Sequence, residues 1–307
     1  VKTRIAAALF FCAAASAGAT TTADFLSLDV GARATAMGGA YSAVAGDATS
    51  VYWNPATLTR IEHRSVTMMA ASYVDSSYFD YAAYGQNLGK WGAVGAGFQY
   101  YSAGSISATD AVGNDAGSFT PFDLAATAAY AYRLPEFEFM PDFAGMSLGF
   151  GVKYIQSKIV ATAHTTALDV GALSPEYLDG RLRFAFTATN LGGQLVYGLA
   201  REPLPRALRF GSSFALTPSW LLSADAGLPV NGQTYGTVGT EYWMALKGPW
   251  KFACRAGFDS ETLGSVTGFT GVSLGFGLNY LGRAFDYAFV PLGGIGQAHR
   301  VSLTYDF

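Results

Sequence analysis

The chain has 307 residues, 13% of them charged and 15% aromatic, with 37 glycines and a formal net charge of −3. Soluble domains average about 25% charged residues, so the composition points away from an ordinary soluble domain. No basic cluster marks a nucleic-acid partner, and the body of the chain never reaches the ~18 uninterrupted apolar residues of a membrane helix.

The chain opens on Val1-Lys2-Thr3-Arg4, followed by an apolar run from Ile5 to Ala15 and the small-residue stretch Ala17-Gly18-Ala19. A basic start, a short apolar run and an A-x-A site predict a cleaved secretory signal over residues 1–19. A cut after Ala15-Ser16-Ala17 fits nearly as well. The run is short of the ~20 residues a spanning helix needs, and Phe11 before Cys12 argues against lipoprotein processing. Cleavage would remove Cys12, leaving Cys254 as a single thiol and excluding an intrachain disulfide. It would also remove two of the 19 basic residues and none of the 22 acidic ones, making the mature protein more acidic.

Residues 20–64 form the next unit. The stretch from Gly31 to Leu58 is dense in Gly and Ala and nearly free of charge. Set between an export signal and a long series of strands, it reads as a plug, or hatch, for a barrel. Met37, Tyr41 and Val44 recur at helical spacing within Ala32–Ala45. They predict a weak helix, because Gly38 and Gly39 each cost about 1 kcal/mol against Ala. Asp47 can cap a short turn through Ala48–Trp53. Asn54 suits an N-cap and Pro55 the first helical position, so Asn54-Pro55-Ala56 restarts a short helix toward Leu58. Tyr52 and Trp53 are large amphipathic anchors for the inner wall. A tightly packed plug accounts for every residue here, while glycine-rich turns also permit a moving gate.

Residues 65–307 alternate with period two. Leu182, Phe184, Phe186 and Ala188 alternate with Arg181, Arg183, Thr187 and Thr189, and Trp250, Phe252, Cys254 and Phe258 oppose Lys251, Arg255 and Gly257. Successive strand side chains face opposite ways, so each segment has one apolar face and one polar or small face. About fourteen such segments follow, within the range of single-chain outer-membrane barrels. Their expected starts are Ser65, Ser77, Lys90, Thr120, Met146, Thr162, Gly180, Pro205, Ser219, Tyr235, Trp250, Gly268, Ala284 and Ala298. Turn residues mark short connections at Asp75-Ser76-Ser77, Asn87-Leu88-Gly89 and Pro229-Val230-Asn231-Gly232, and longer ones lie at Gly104–Ser118, Pro135–Gly145, Asn190–Glu202 and Asp259–Thr267.

A soluble β-sandwich would alternate too, burying its apolar faces against a second sheet. Three features favour a barrel in lipid. Tyr100, Tyr130, Tyr154, Trp220, Trp250 and Tyr280 stand near segment ends on the apolar face, as an interfacial girdle would. The leader exports the chain. The last strand sets Val301, Leu303, Tyr305 and Phe307 against Arg300, Ser302, Thr304 and Asp306. A final strand ending in Phe resembles the signal read by the bacterial outer-membrane assembly machinery. The expected fold class is therefore an all-β transmembrane antiparallel barrel with a small, partly helical N-terminal hatch in its lumen.

With polar faces inward, Asp80, Asp123, Asp169, Asp225, Glu241 and Asp286 meet Lys153, Arg181, Arg183, Arg209, Lys251, Arg255 and Arg300 in the lumen. That near balance suits ion pairs bracing wall and plug, whereas an ion-selective pore would show a ring of one sign. Inward Gly95, Gly97, Gly149, Gly151, Gly211, Gly275 and Gly277 leave room for the hatch, or ease barrel curvature.

Gly31-Ala32-Arg33, Ala36-Met37-Gly38-Gly39-Ala40, Asp47-Ala48 and Tyr52-Trp53-Asn54-Pro55-Ala56 resemble the N-terminal signature of the PorV/PorQ and FadL-like outer-membrane proteins. The Met-Gly-Gly-Ala and Tyr-Trp-Asn-Pro-Ala forms look closer to PorV/PorQ. The resemblance implies a fourteen-stranded barrel with a hatch, seated in the bacterial outer membrane. FadL-like members admit hydrophobic compounds, with a side opening at a kinked third strand. The third strand here contains Gly92, Gly95 and Gly97, which would permit such a kink. PorV members serve type IX secretion, carrying exported proteins to the surface.

His63, His164 and His299 lack metal-ligand spacing, and the cysteine count excludes a Cys-based zinc site. No H-E-x-x-H or P-loop motif is present in the sequence, so neither metal, cofactor nor catalysis is expected. The leading expectation is passive transport of hydrophobic or amphipathic small molecules. The alternative is a type IX secretion accessory or shuttle protein, and a remote third is a rim enzyme using His164 with Asp169 or a nearby Ser. Expected partners are outer-membrane lipid, the assembly machinery, and either a hydrophobic small molecule or secreted proteins.

Overall fold

The computed structural model describes residues 21–73, 76–110, 112–135, 144–261 and 268–307. The leader at residues 1–19 lies outside the described residues, as do Asp75 in the first turn and most of the connections expected at Pro135–Gly145 and Asp259–Thr267.

Among the described residues, period-two alternation produces eighteen strands. They are β1 (Arg64–Ser72), β2 (Tyr78–Asn87), β3 (Ala93–Ser102), β4 (Ile106–Thr109), β5 (Asp115–Phe119), β6 (Phe122–Arg133), β7 (Ser147–Lys158), β8 (Thr162–Leu173), β9 (Leu182–Gly192), β10 (Gln194–Tyr197), β11 (Ala200–Pro203), β12 (Ala207–Thr217), β13 (Trp220–Pro229), β14 (Tyr235–Ala245), β15 (Trp250–Asp259), β16 (Val272–Tyr280), β17 (Arg283–Pro291) and β18 (Gln297–Asp306). Fourteen of them, β1–β3, β6–β9 and β12–β18, form one closed antiparallel barrel. Every expected start falls within four residues of an observed barrel strand. Closure is made by β18 on β1, from Ser65 opposite Asp306 to Ser72 opposite His299, and Arg64 and Phe307 exchange backbone hydrogen bonds of 3.0 Å beyond it. A closed ladder leaves no unpaired edge to face lipid.

The other four strands are two accessory hairpins, β4–β5 and β10–β11. Both sit in connections read from the sequence as loops, because four- or five-residue strands give too little alternation to see. They rise from the same end of the barrel. Outer-membrane barrels carry short periplasmic turns and longer surface loops, which makes the hairpin end the surface end.

The outer wall is apolar. Phe150, Phe184, Phe210, Val238, Leu274 and Leu303 are exposed along it. Rings pair near strand ends, Tyr100 on Phe122 at 5.9 Å and Trp250 on Tyr280 at 4.6 Å between centroids. On β18, Val301, Leu303, Tyr305 and Phe307 face outward while Arg300 and Ser302 are buried.

Residues 21–61 fill the lumen, and the inner wall is shaped to them. A Cβ added at Gly95 would lie 2.6 Å from a Val51 methyl, while at Gly149 it would enter the Pro55–Ala56 backbone and at Gly257 the Met37–Gly38 backbone. Gly97, Gly211 and Gly275 also face hatch atoms. Gly151 does not: its nearest neighbour is a Thr127 methyl at 3.4 Å on the adjacent strand. Gly277 instead makes room for the Asp286 and Arg255 side chains.

Two charged residues, Asp80 and Arg181, depart from the inward assignment, and two more, Arg183 and Lys251, keep it only at the rim. The inner face of β2 is Phe79, Tyr81 and Ala83, buried toward the hatch. Alternation therefore turns Asp80 to the outer face, opposite Tyr100 near the surface end. Arg181 precedes β9, reaches the carbonyls of Ala215 and Leu216 at 2.8 Å, and lies over the outward Phe214 ring. Arg183 pairs with Glu176 of the β8–β9 connection at the periplasmic rim, and Lys251 is exposed at the same rim. The third strand is also unbroken. β3 pairs over ten positions with β2 and ten with β6 without a register shift. Gly92 precedes the strand, and Gly95 and Gly97 serve hatch packing.

Gly257→Val should displace the hatch without opening the barrel. Limited proteolysis should then cut within residues 21–61, while Gly151→Ala, which meets no hatch atom, should remain as resistant as the parent.

Candidate functional site

Irregular backbone inside a closed wall must find partners for its N–H and C=O groups. The hatch has four short helical pieces: 3₁₀ turns at Asp24–Ser27 and Pro55–Arg60, with α1 (Ala32–Ala36) and α2 (Ser50–Trp53). The longer helix expected over Ala32–Ala45 does not form. Gly38 and Gly39 adopt φ of +67° and +74°, which end α1 and turn the chain under β15. Met37, Tyr41 and Val44 are all buried, so their spacing reflects packing rather than one helix.

The turn signals act as the sequence predicts. Asp47 Oδ1 accepts from Thr49 N at 2.8 Å and Thr49 Oγ1 at 2.5 Å, holding the entry to α2. The Asn54 side chain accepts from Ala56 N at 3.0 Å as N-cap of the Pro55–Arg60 turn. Its amide also donates to Ser42 O and to Ala172 O of β8, both at 3.1 Å. One buried side chain thus ties two hatch segments to the wall. Arg60 donates to the carbonyls of Val44 and Ala45 at 2.6 and 2.7 Å. Burial, with Arg183 nearby, draws its guanidinium down to about 10, so it keeps its charge at neutral pH.

The wall supplies the remaining partners. Ser42 N donates to Asp225 Oδ2 at 3.0 Å and Gly38 N to Ser273 Oγ at 3.0 Å. Arg209 donates to Gly39 O at 3.2 Å, and Arg300 to Asp29 O and to Thr35 Oγ1. The strongest tie is ionic. Arg33, the charged residue of the Gly31-Ala32-Arg33 signature, grips Glu241 of β14 through two bonds of 2.7 and 2.6 Å. Arg255 of β15 meets the same carboxylate at 2.7 Å and Asp286 of β17 at 2.7 Å. Side chains of Glu241, Arg255 and Asp286 are at most 4% exposed. A second buried pair joins Lys153 to Asp169 at 3.0 Å, and Lys153 also donates to Asn190 at 2.7 Å. Asp123 faces inward nearer the surface rim and is half-buried.

Above the hatch lies a cavity of about 580 Å³. Its floor is Gly38, Gly39, Tyr52 and Trp53, and its sides come from the surface ends of β9 and β12–β15 and from residues 21–29. Trp53 is clamped by a bond to Val30 O of 2.9 Å, edge contacts to Tyr41 and Tyr52, and the Arg209 guanidinium 4.8 Å from its ring. Tyr52 is half-buried. The two rings anchor to the hatch and Arg209 more than to the wall at large. The lining is mostly polar: Asp29, Asn190, Arg206, Arg209, Gln233, Thr234, Asp259 and Glu261 all contribute. No local pattern announces this cavity, because its lining gathers strand ends far apart in the chain.

Among the described residues, no group of three or more His, Cys, Asp or Glu side chains could hold a metal. His164 stacks on Tyr154 on the outer face of β8, while Asp169 is buried inside, so the two do not form a rim pair.

A family model described as type IX secretion system protein PorV matches residues 12–219. No curated protein matches the chain. The fold is shared with the toluene transporter TodX of Pseudomonas putida, at TM-score 0.58 and 14% identity over 91% of this chain and 98% of that one. It is also shared with the CymD monoaromatic hydrocarbon channel, at 0.57 and 13% over 91% and 97%. A Pseudomonas aeruginosa FadL homologue follows at 0.55 and 12% over 87% and 96%.

Arg33→Met should loosen the hatch while leaving the wall pair Arg255–Glu241 in place. Glu241 keeps Arg255, so the loss is that of charge-assisted hydrogen bonds, about 1.5–3 kcal/mol. Hydrogen exchange should therefore speed up in residues 30–60 by a large factor and stay unchanged in β6–β8.

Proposed function

Because this chain belongs to the PorV family, we propose that this outer-membrane β-barrel serves a type IX secretion system, meeting exported proteins at its surface end. The observation that carries the reading is the cavity above the hatch. It opens toward the surface end, its lining is mostly polar, and its floor is a packed, ion-paired plug. Pockets for apolar small molecules are lined predominantly by hydrophobic and aromatic side chains. A polar recess of about 580 Å³ suits a polypeptide segment better. The unbroken β3 ladder supports the same reading, because it leaves no lateral exit at that strand.

The second reading is passive entry of hydrophobic or amphipathic small molecules. The full-length fold shared with hydrocarbon channels favours it, as do the aromatic rings of Tyr52 and Trp53 in the cavity floor. Both readings place the protein in the outer membrane and assign it no catalysis. We also propose that the outward row Val301, Leu303, Tyr305 and Phe307 is what the assembly machinery reads.

Deleting the gene in its native host separates the two. The secretion reading predicts loss of a set of proteins from the cell surface and medium, measured by proteomics, with those proteins copurifying with the tagged barrel. An unchanged surface proteome, together with uptake of an apolar probe into proteoliposomes, would establish the transport reading instead.

A further inference from the structure

The cavity carries more negative charge than its own cations balance. Asp29, Asp259 and Glu261 all line it, and among the described residues none of the three is in an ion pair. Asp259 is the last residue of β15, Glu261 follows in the next turn, and Asp29 comes from the hatch beside Gly39. Arg209, which acts on all three, bonds Gly39 O and the Tyr235 hydroxyl and lies over the Trp53 ring, and Arg300 donates to the Asp29 backbone carbonyl. Arg206 and Asp24 also line the cavity, one charge of each sign and neither in an ion pair among the described residues, with Arg206 Nε itself buried and unbonded, and Lys153 is committed to Asp169. Burial and the Asp29 charge push the Glu261 carboxyl up, against the opposing pull of Arg209.

A second observation points into the same place. Thr237 is opposite Asp259 in the β14–β15 ladder, lines the cavity, and is 3% exposed. Its hydroxyl oxygen is buried without a hydrogen-bond partner. Buried hydroxyls are ordinarily satisfied, and this one stands opposite Asp259, whose carboxylate accepts from Glu261 N and is in no ion pair, so both can accept from a ligand's N–H groups. A divalent ion fits poorly, because these carboxylates do not converge into a metal-ligating group. An organic cation fits better: its N–H groups would satisfy Asp259 and Thr237 together, and Tyr52 and Tyr235 also line the cavity.

We propose that Asp29, Asp259, Glu261 and Thr237 form a binding site for an ammonium or guanidinium group, supplied by a lysine or arginine side chain of a protein partner or by a free amine. The assignment rests on the reading that the surface-facing cavity is where this barrel meets its partner.

The test uses the full chain in nanodiscs, with calorimetric titration of acetyl-Gly-Lys-Gly-amide, agmatine, the neutral acetyl-Gly-Gln-Gly-amide and calcium chloride. Saturable binding of the basic probes, suppressed by salt and absent for the glutamine peptide, is the expected result. Asp29→Asn with Asp259→Asn should weaken it about tenfold or more, since hydrogen bonds to charged groups are among the stronger ones. Thr237→Val should weaken it less, and it serves alone if the double variant loses heat-modifiable migration on gels. A preference for the lysyl peptide assigns a protein source, and one for agmatine a free amine. Equal binding of the glutamine peptide, response to calcium only, or unchanged affinity in the variants would overturn the site. The secretion reading is judged separately, since an unaltered surface proteome in the deletion strain leaves probe binding on purified protein untouched.

Discussion

Some forty residues of mostly irregular backbone lie inside a closed wall, and that backbone must be satisfied without a ladder of its own. The wall does this with side chains. Asp225, Ser273 and Ser302 accept from Ser42, Gly38 and Ala32 N–H groups, and Arg209 and Arg300 donate to Gly39 and Asp29 carbonyls. Of the charges that alternation puts inside the barrel, Asp225, Arg209 and Arg300 thus serve the hatch backbone, and Glu241 holds the Arg33 side chain. Lys153–Asp169 and Arg255 instead pair within the wall.

Steric fit works with the same set of contacts. The wall removes side chains where hatch backbone passes, at Gly149 under Pro55–Ala56 and Gly257 under Met37–Gly38. It then fills the remaining space with Val51, Leu58, Met37 and Tyr41 from the hatch, all buried. Buried ion pairs are weak evidence of net stability, yet breaking one is costly. The Arg33–Glu241–Arg255–Asp286 chain therefore fixes one position of the hatch more than it deepens the fold. With that position fixed, the molecule presents a polar cup to the surface end.

Much of this was legible in the sequence, for physical reasons. Strands buried on one side and bathed in lipid on the other alternate cleanly, so Leu182–Ala188 and Val272–Tyr280 show their faces at once. The Asn54-Pro55-Ala56 turn was legible because capping is local. Asp80 was misread because β2 turns aromatic Phe79 and Tyr81 inward against the hatch, reversing the usual sense of polar and apolar faces. The extent of α1 was misread because packing spaced Met37, Tyr41 and Val44 as a helix would. The Arg33–Glu241 tie spans 208 residues and the cavity lining spans more, so no local pattern announced either.

A barrel whose lumen is filled by an ion-paired hatch is not an open pore. Single-channel recording of the unmodified protein in planar bilayers tests this most directly. The hatch account predicts a membrane that stays electrically silent at moderate voltage. A steady open-channel current from the unmodified chain would contradict it, showing that ions pass the hatch in its resting position.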